Sequence, residues 1–419
     1  MRQSRKHARQ DDLLKARAEY SKVSRKLSLL NKLSRLHVEK KAAIKAQLNF
    51  NKDHWKFAKE LFDPPTAPYS IDKDATERHF KETYADNTRD FTFSPPPGLP
   101  RPALPTVPFK SDFPGFQRFM FLLMKKSNGS AAGPYGNRYK VFKLFPIAAT
   151  KLYNLCKRCK TEGRLPAFFG HAYMVLLSKP GKPTDHARHL RNIACASTGG
   201  KMFWTCMLDP LTSFLIDNKF IDTEIQKAVP GIPGCLEHSW SAFEALKDAK
   251  LNKRKICVAL TDLKDAYGSI KHNLIQFALA WYGVPIEFAT LVFRYYESLI
   301  AFVITPDWRT NPFKYGIGVF QGCVLSMLLF ILVYQIIIDF LGAHGVLPYT
   351  FKRLNVTVLQ KAFVDDHKLF NCSEGGAQYN LNKLQIIFEW SRCLCFNLKK
   401  CVAFALGDQI TRREILRPI

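Results

Sequence analysis

Acidic side chains are what this sequence is short of. It sets 35 Asp and Glu against 62 Lys and Arg, a formal net charge of +27. A field of that sign draws in polyanions and releases their condensed counterions on contact, so nucleic acid is the expected partner. No leader peptide is expected at Met1-Arg2-Gln3-Ser4-Arg5-Lys6, which runs into polar sequence with no apolar core. Long uninterrupted apolar runs are also lacking. The richest stretch, 324–341, is broken by Gln335 and Asp339 and reads as a helix buried in a large domain rather than a membrane span. Nothing recurs internally at a fixed period.

Cysteine is present, 11 in all, but spread singly or in loose pairs, which implies a reducing, intracellular setting, nucleus or cytoplasm. Cys156 and Cys159 have the spacing of half a zinc site, with His186 and His189 as conceivable partners. The intervening spacing does not suit a common finger, so these cysteines read as small core residues, and Cys393, Cys395 and Cys401 likewise read as structural.

With 419 residues and 47% hydrophobic content, the chain can build one large core or two medium ones. Residues 1–60 carry 17 Lys and Arg against 6 Asp and Glu, and Tyr20, Val23, Leu27 and Leu30 repeat at helical spacing, which predicts a basic helical arm. An extension over 61–115 ends in a proline-rich stretch, with Pro95, Pro96, Pro97, Pro100, Pro102, Pro105 and Pro108, expected to be a stiff extended linker. From 116 to 406 helical and strand patterns alternate as in a single α+β domain, and 407–419 is a short tail.

Within that domain the pattern predicts strands over 255–263, 301–305, 313–319 and 402–406. It predicts helices over 272–282, 381–390 and from Cys323 onward, Gln321 opening the last. A hairpin of 356–364 with 368–370 carries Asp365 and Asp366 at its bend. Neighbouring carboxylates on apolar strands repel each other and resist losing water, so they call for compensating positive charge. Two Mg²⁺ ions, with Mn²⁺ an acceptable substitute, provide it and suit oxygen ligands. Asp262 and Asp365 are the expected bridging ligands, with Asp366 in support, and the chemistry such a pair performs is nucleotidyl transfer. Glycines at 316, 318 and 322 allow close approach of backbone to a ligand.

These segments resemble motifs A, B and C of reverse transcriptases, in particular those of non-LTR (LINE-type) retrotransposons in the branch with a restriction-like endonuclease. Residues 130–136 (SAAGPYG), 191–194 (RNIA), 226–238 (QKAVPGIPGCLEH), 265–272 (DAYGSIKH) and 397–401 (NLKKC) extend the likeness in the same order. The resemblance implies right-hand polymerase fingers and palm, an RNA template, a DNA primer and deoxynucleoside triphosphates. It assigns Asp262, Asp365 and Asp366 to catalysis and metal binding, and Lys400 to protonating pyrophosphate as general acid.

For the incoming nucleotide the same likeness nominates Arg191 as a triphosphate clamp, Lys179 and Lys182 as helpers, and Asp265, Gln321 and Gly322 as pocket residues. Tyr267 falls at the aromatic gate that collides with a ribose 2′ hydroxyl. Met327 after Ser326, Val364 before the aspartates and Asn192 after Arg191 depart from the family pattern. Little or no thumb is expected after Leu406, as in a fragment or decayed copy. Two other readings remain, a non-catalytic RNA-binding relic and an RNA-dependent RNA polymerase, the latter disfavoured by Tyr267.

Overall fold

The computed structural model describes residues 71–407 except Pro180 and Pro233, the backbone of 411–413, and scattered helical positions between 21 and 37. The remainder of the predicted basic arm and most of the tail lie outside the described residues. The chain divides after Pro68 into two compact units. In the second, the helices are α1 (Lys73–Thr83), α2 (Phe116–Met124), α3 (Tyr139–Leu144), α4 (Pro146–Glu162), α5 (Thr198–Asp217), α6 (Cys235–Leu251), α7 (Ala266–Ser269), α8 (His272–Trp281), α9 (Ile286–Glu297), α10 (Ser326–His344) and α11 (Glu374–Ser391). The strands are β1 (His171–Ser178), β2 (Leu190–Ala196), β3 (Ile256–Thr261), β4 (Ile300–Val303), β5 (Phe313–Lys314), β6 (Tyr349–Thr350), β7 (Thr357–Val358), β8 (Gln360–Phe363), β9 (Asp366–Asn371), β10 (Val402–Leu406) and β11 (Thr411–Arg413).

Two sheets organise the α+β domain, in the orders β2-β1-β4-β5 and β11-β10-β3-β9-β8. In the second, β3 is buried on both faces, as its unbroken run Ile-Cys-Val-Ala-Leu-Thr requires. Ala259 and Leu369 enter the large core, whereas Ile256 and Val258 pack with Ala245 and Ala249 of α6 on the other face. Helix α10 is apolar and long enough to cross a membrane by length and composition. It is instead the central core helix: Leu328, Leu329, Phe330, Ile331, Leu332, Ile336 and Ile337 have no exposed surface.

The proline-rich segment is extended, but it is not a spacer. Phe93 and Leu99 are buried, Asn273 Nδ2 donates to Phe91 O at 2.7 Å, and Trp390 Nε1 donates to Ser94 O at 2.9 Å. Asn218 Oδ1 accepts from the backbone of Thr106 and Val107 at 2.7 and 2.8 Å. Prolines leave carbonyls without a ladder, and side chains of the domain satisfy the strap instead.

Other elements differ from expectation for identifiable reasons. The strand predicted over 313–319 ends at Lys314, because Gly316, Gly318 and Val319 donate to Tyr84, Ile270 and Tyr267 rather than to a strand. Helix α10 starts at Ser326, not at Gln321 or Cys323, with turns before it. Helix α11 starts seven residues earlier than predicted, at Glu374, because Ser373 accepts from Gly376 N as an N-cap and overrides the glycine pair.

Candidate active site

Register brings the acids to one end of the second sheet. Thr261 of β3 pairs with His367 of β9, and Phe363 pairs with Asp366 across the β8–β9 turn. Asp262 therefore leaves β3 beside the turn that carries Asp365 and Asp366. Their fields overlap: the Asp365 carboxyl is raised above the usual range first by burial, then by Asp366 and Asp262, with Lys400 opposing. Asp366 is exposed and Asp365 half-buried.

The turn itself is strained. Val364 sits at φ +57°, a left-handed conformation that costs a β-branched residue roughly 1–3 kcal/mol. Directly behind it, His367 is fully enclosed and its imidazole is pulled down to about 3 by burial. Gln360 Nε2 donates to Ile338 O at 2.9 Å, which leaves Gln360 Oε1 to accept from His367 Nε2 at 3.0 Å and His367 Nδ1 to accept from Tyr334 at 3.0 Å. This neutral network ties the hairpin to α10.

Asp262 is gripped by the segment ahead of β10, which runs antiparallel to β3 with Val402 opposite Leu260. Asn397 Nδ2 donates to Asp262 Oδ2 at 2.8 Å, and the Asn397 amide donates to Asp262 O at 2.8 Å. Lys400 Nζ lies 3.3 Å from Asp262 Oδ1, and the Asp262 amide donates to Cys401 Sγ at 3.4 Å. Sequence reasoning assigned no role to Asn397 and only a structural one to Cys401, although both lie in the stretch 397–401 that it singled out. The signal was their register with β3, which only strand pairing reveals.

Three cationic residues lie at the end of β1, at the start of β2 and in the loop between them. Arg191 lies opposite Leu177 in the β1–β2 ladder, Lys179 directly follows β1, and Lys182 donates from its backbone to Lys179 O in the connecting loop. The Lys179 amine is lowered by burial and then by Arg191, Lys400 and Lys182, while Asp265 opposes. Lys179 thus feels Lys400, which lies just ahead of β10 in the second sheet. Asp265 is itself raised by burial and held by Lys179, the Gly268 amide and His79. It sits at φ +48° and folds over Gly268, where an added Cβ would fall 2.2 Å from its Oδ2. The residue is exposed, with Lys179 and His79 favouring its charged form.

Tyr267 stacks on Phe330 of α10, with centroids 5.3 Å apart and planes 9° from parallel. Its phenol is pushed up to about 12 by burial and by Asp365, so the ring borders the acid cluster. Gln321 and Gly322 are docked on β2 by main chain: Ala194 N donates to Gln321 O at 2.8 Å, and Gly322, at φ +122°, approaches so closely that a Cβ would meet Ala194 O at 2.6 Å. The zinc partners are not assembled. Cys156 and Cys159 face the core with thiols raised by burial, Cys159 to about 11, and His189 pairs with Asp185 at 2.9 Å.

Among the described residues no group of three or more His, Cys, Asp or Glu is arranged to hold a metal ion by itself. Asp262 meets Asn397 and Lys400 there. The donors present are carboxylate oxygens, the kind Mg²⁺ takes in small number while keeping water and phosphate for its other positions. In that respect the residues fit the ion.

Residues 178–414 match the protein-family model described as reverse transcriptase (RNA-dependent DNA polymerase). Over 259 residues the chain is 24% identical to the retrovirus-related Pol polyprotein from type-1 retrotransposable element R2 of Nasonia vitripennis, across 61% of this chain and 24% of that relative. It thus spans about a quarter of the relative's length. Among solved structures it is similar to apo telomerase from Candida tropicalis truncated from the C-terminal domain, with 13% identity, TM-score 0.43 and coverage of 67% of this chain and 59% of that one. Telomerase from the same organism with a TWJ fragment of telomeric RNA gives 13% identity and TM-score 0.43, covering 63% and 46%.

Proposed function

Because the chain belongs to the reverse transcriptase (RNA-dependent DNA polymerase) family, we propose that this segment copies an RNA template by adding deoxynucleotides to a DNA primer, as the polymerase portion of a non-LTR retroelement polyprotein. The observation that carries the reading is the strand register that brings Asp262 beside the turn holding Asp365 and Asp366. Burial first, and then the neighbouring carboxylates, disfavour the charged form of Asp365, and a divalent cation offsets both. Asp262, Asp365 and Asp366 are the residues that would hold Mg²⁺, or Mn²⁺ in its place. When bound, the ions lower the pKa of the attacking hydroxyl and stabilise the leaving oxygens.

The chain's own side chains do the rest. Asn397 and the paired backbone hold Asp262 at the end of β3. Arg191, a planar bidentate donor, clamps the triphosphate, helped by Lys179 and Lys182. Tyr267, its ring supported by Phe330, blocks a ribose 2′ hydroxyl. Lys400, two-thirds exposed and 3.3 Å from Asp262, is free to swing towards departing pyrophosphate and give it a proton.

Primer extension on a primed RNA template with Mg²⁺ or Mn²⁺ tests the reading. Incorporation of deoxynucleotides is expected from the wild type and lost in Asp262→Asn and Asp365→Asn. A wild type that binds RNA but stays as silent as both variants on several primed templates would establish the RNA-binding relic instead.

A further inference from the structure

β8 is the outer strand of its sheet, and its free edge is occupied by a loop. Ala362 N donates to Ile225 O at 2.8 Å and Lys227 N donates to Ala362 O at 3.1 Å, so Gln226 lies beside Ala362 as a parallel strand residue would. The Gln226 side chain then continues that pairing where no backbone reaches. Its Nε2 donates to Val364 O at 3.1 Å, and its Oε1 accepts from Val364 N at 2.9 Å and from Ala228 N at 3.2 Å. The side chain has no exposed surface. One amide thus satisfies both main-chain groups of the residue that stands in the left-handed region immediately before Asp365.

The loop that presents Gln226 is itself anchored in the core. Asp222 Oδ1 accepts from Glu224 N at 2.9 Å and Ile225 N at 3.1 Å, and Asp222 N donates to Gln335 Oε1 at 3.2 Å. Gln335 Nε2 in turn donates to Asp339 Oδ1 at 2.7 Å, and Asp339 Oδ2 accepts from Tyr282 at 2.7 Å. The two polar residues that interrupt the apolar helix α10 therefore brace the far end of this support.

We propose that Gln226 is a positioning residue whose amide clamps the strained backbone of Val364 and so fixes where the Asp365–Asp366 pair points. The proposal rests on the polymerase reading. The clamp dictates the residue type, because the group must offer one donor and one acceptor in a plane, as a neighbouring peptide would. Glutamate lacks the donor, asparagine is one methylene short and methionine has neither.

Gln226→Met keeps the buried volume while removing the clamp. Displacement of the acids by a fraction of an ångström to about 1 Å lowers kcat about 10- to 100-fold with the deoxynucleotide KM nearly unchanged. Gln226→Asn reproduces the defect and keeps the test open where Gln226→Met does not fold. Val364→Gly, which occupies the same φ without strain, separates this role from a general packing one: in that background Gln226→Met should cost no more than about 3-fold. Hydrogen exchange over 360–370 gives a readout independent of activity, with the Val364 and Asp365 amides exchanging at least about 10-fold faster in Gln226→Met. A wild type without polymerase activity would sink the polymerase reading, whereas the exchange result would still decide the clamp. Unchanged exchange with unchanged kcat, or a penalty undiminished by Val364→Gly, would overturn it.

Discussion

Replacing Asp365 by Asn should abolish polymerisation and yet make the metal-free protein more stable. Neighbouring strands lie roughly 5 Å apart, which sets carboxyls at their ends roughly 7 Å from each other. A unit-charge pair at that distance is worth roughly 2 kcal/mol at an effective dielectric near 20. Asp365 bears the cost of its own burial and two repulsions, from Asp366 and Asp262, against a hydrogen bond from its own backbone and the attraction of Lys400. The balance is unfavourable to the charge, and solvent at the half-open tip reduces it to the order of 1 kcal/mol. In a domain of this size that raises the unfolding midpoint by about 2 °C.

The sign depends on pH in a defined way. The folded pKa of Asp365 lies above its ordinary value of 3.8, so the charge weakens the fold wherever it is ionised. The advantage of Asp365→Asn is therefore present at neutral pH and disappears as pH falls through the folded pKa to below 3.8. Mg²⁺ reverses the order, because a ligand at 100 times its Kd stabilises the wild type by about 2.7 kcal/mol and the variant has lost a carboxylate donor. Scanning calorimetry at about pH 7.5 and about pH 4, with and without Mg²⁺, reads all of this. A metal-free variant that melts below the wild type at neutral pH would refute the electrostatic account of the site.

Arg191→Ala removes a charge-assisted clamp and should raise the deoxynucleotide KM about 10- to 100-fold, read by steady-state extension. Tyr267→Ala should relax sugar selection by at least about 10-fold in mixed-nucleotide assays, and unchanged ribonucleotide incorporation would count against the gate. Acid should also unfold the domain early. Burial pulls His272 to about 4 and His367 to about 3, below the ordinary 6.5, so the unfolded chain takes up protons that the folded one refuses. Stability is full above 6.5 and declines as pH falls through that window, each histidine costing on the order of 3 kcal/mol by about pH 4. His272→Gln retains a donor for Gly318 O, which His272 reaches at 2.8 Å, and should flatten the decline in pH-dependent denaturation.

Local chemistry was legible wherever it rests on residue type and short-range pattern. Strand β3, the hairpin bearing Asp365 and Asp366, the buried helix α10 and strand β10 all follow from apolar periodicity, since a run that must be buried has few other places to go. The stretch 313–319 misled for the converse reason: its apolar residues are buried by contacts with segments near Tyr84 and Ile270, far away in sequence. So did the proline-rich segment, whose composition dictates extension but cannot say whether side chains such as Asn218, Asn273 and Trp390 will receive it.

From sequence alone came the identity of the acids and cations and the kind of reaction they suit, because charge and donor type belong to each residue wherever it lies. Tertiary structure alone decided which groups share a field and what holds them. Asn397 reaches Asp262 through the β3–β10 register, and Gln226 reaches Val364 from 138 positions earlier in the chain. Hydrogen bonds act over about 3 Å, and only folding converts separation along a chain into distance through space.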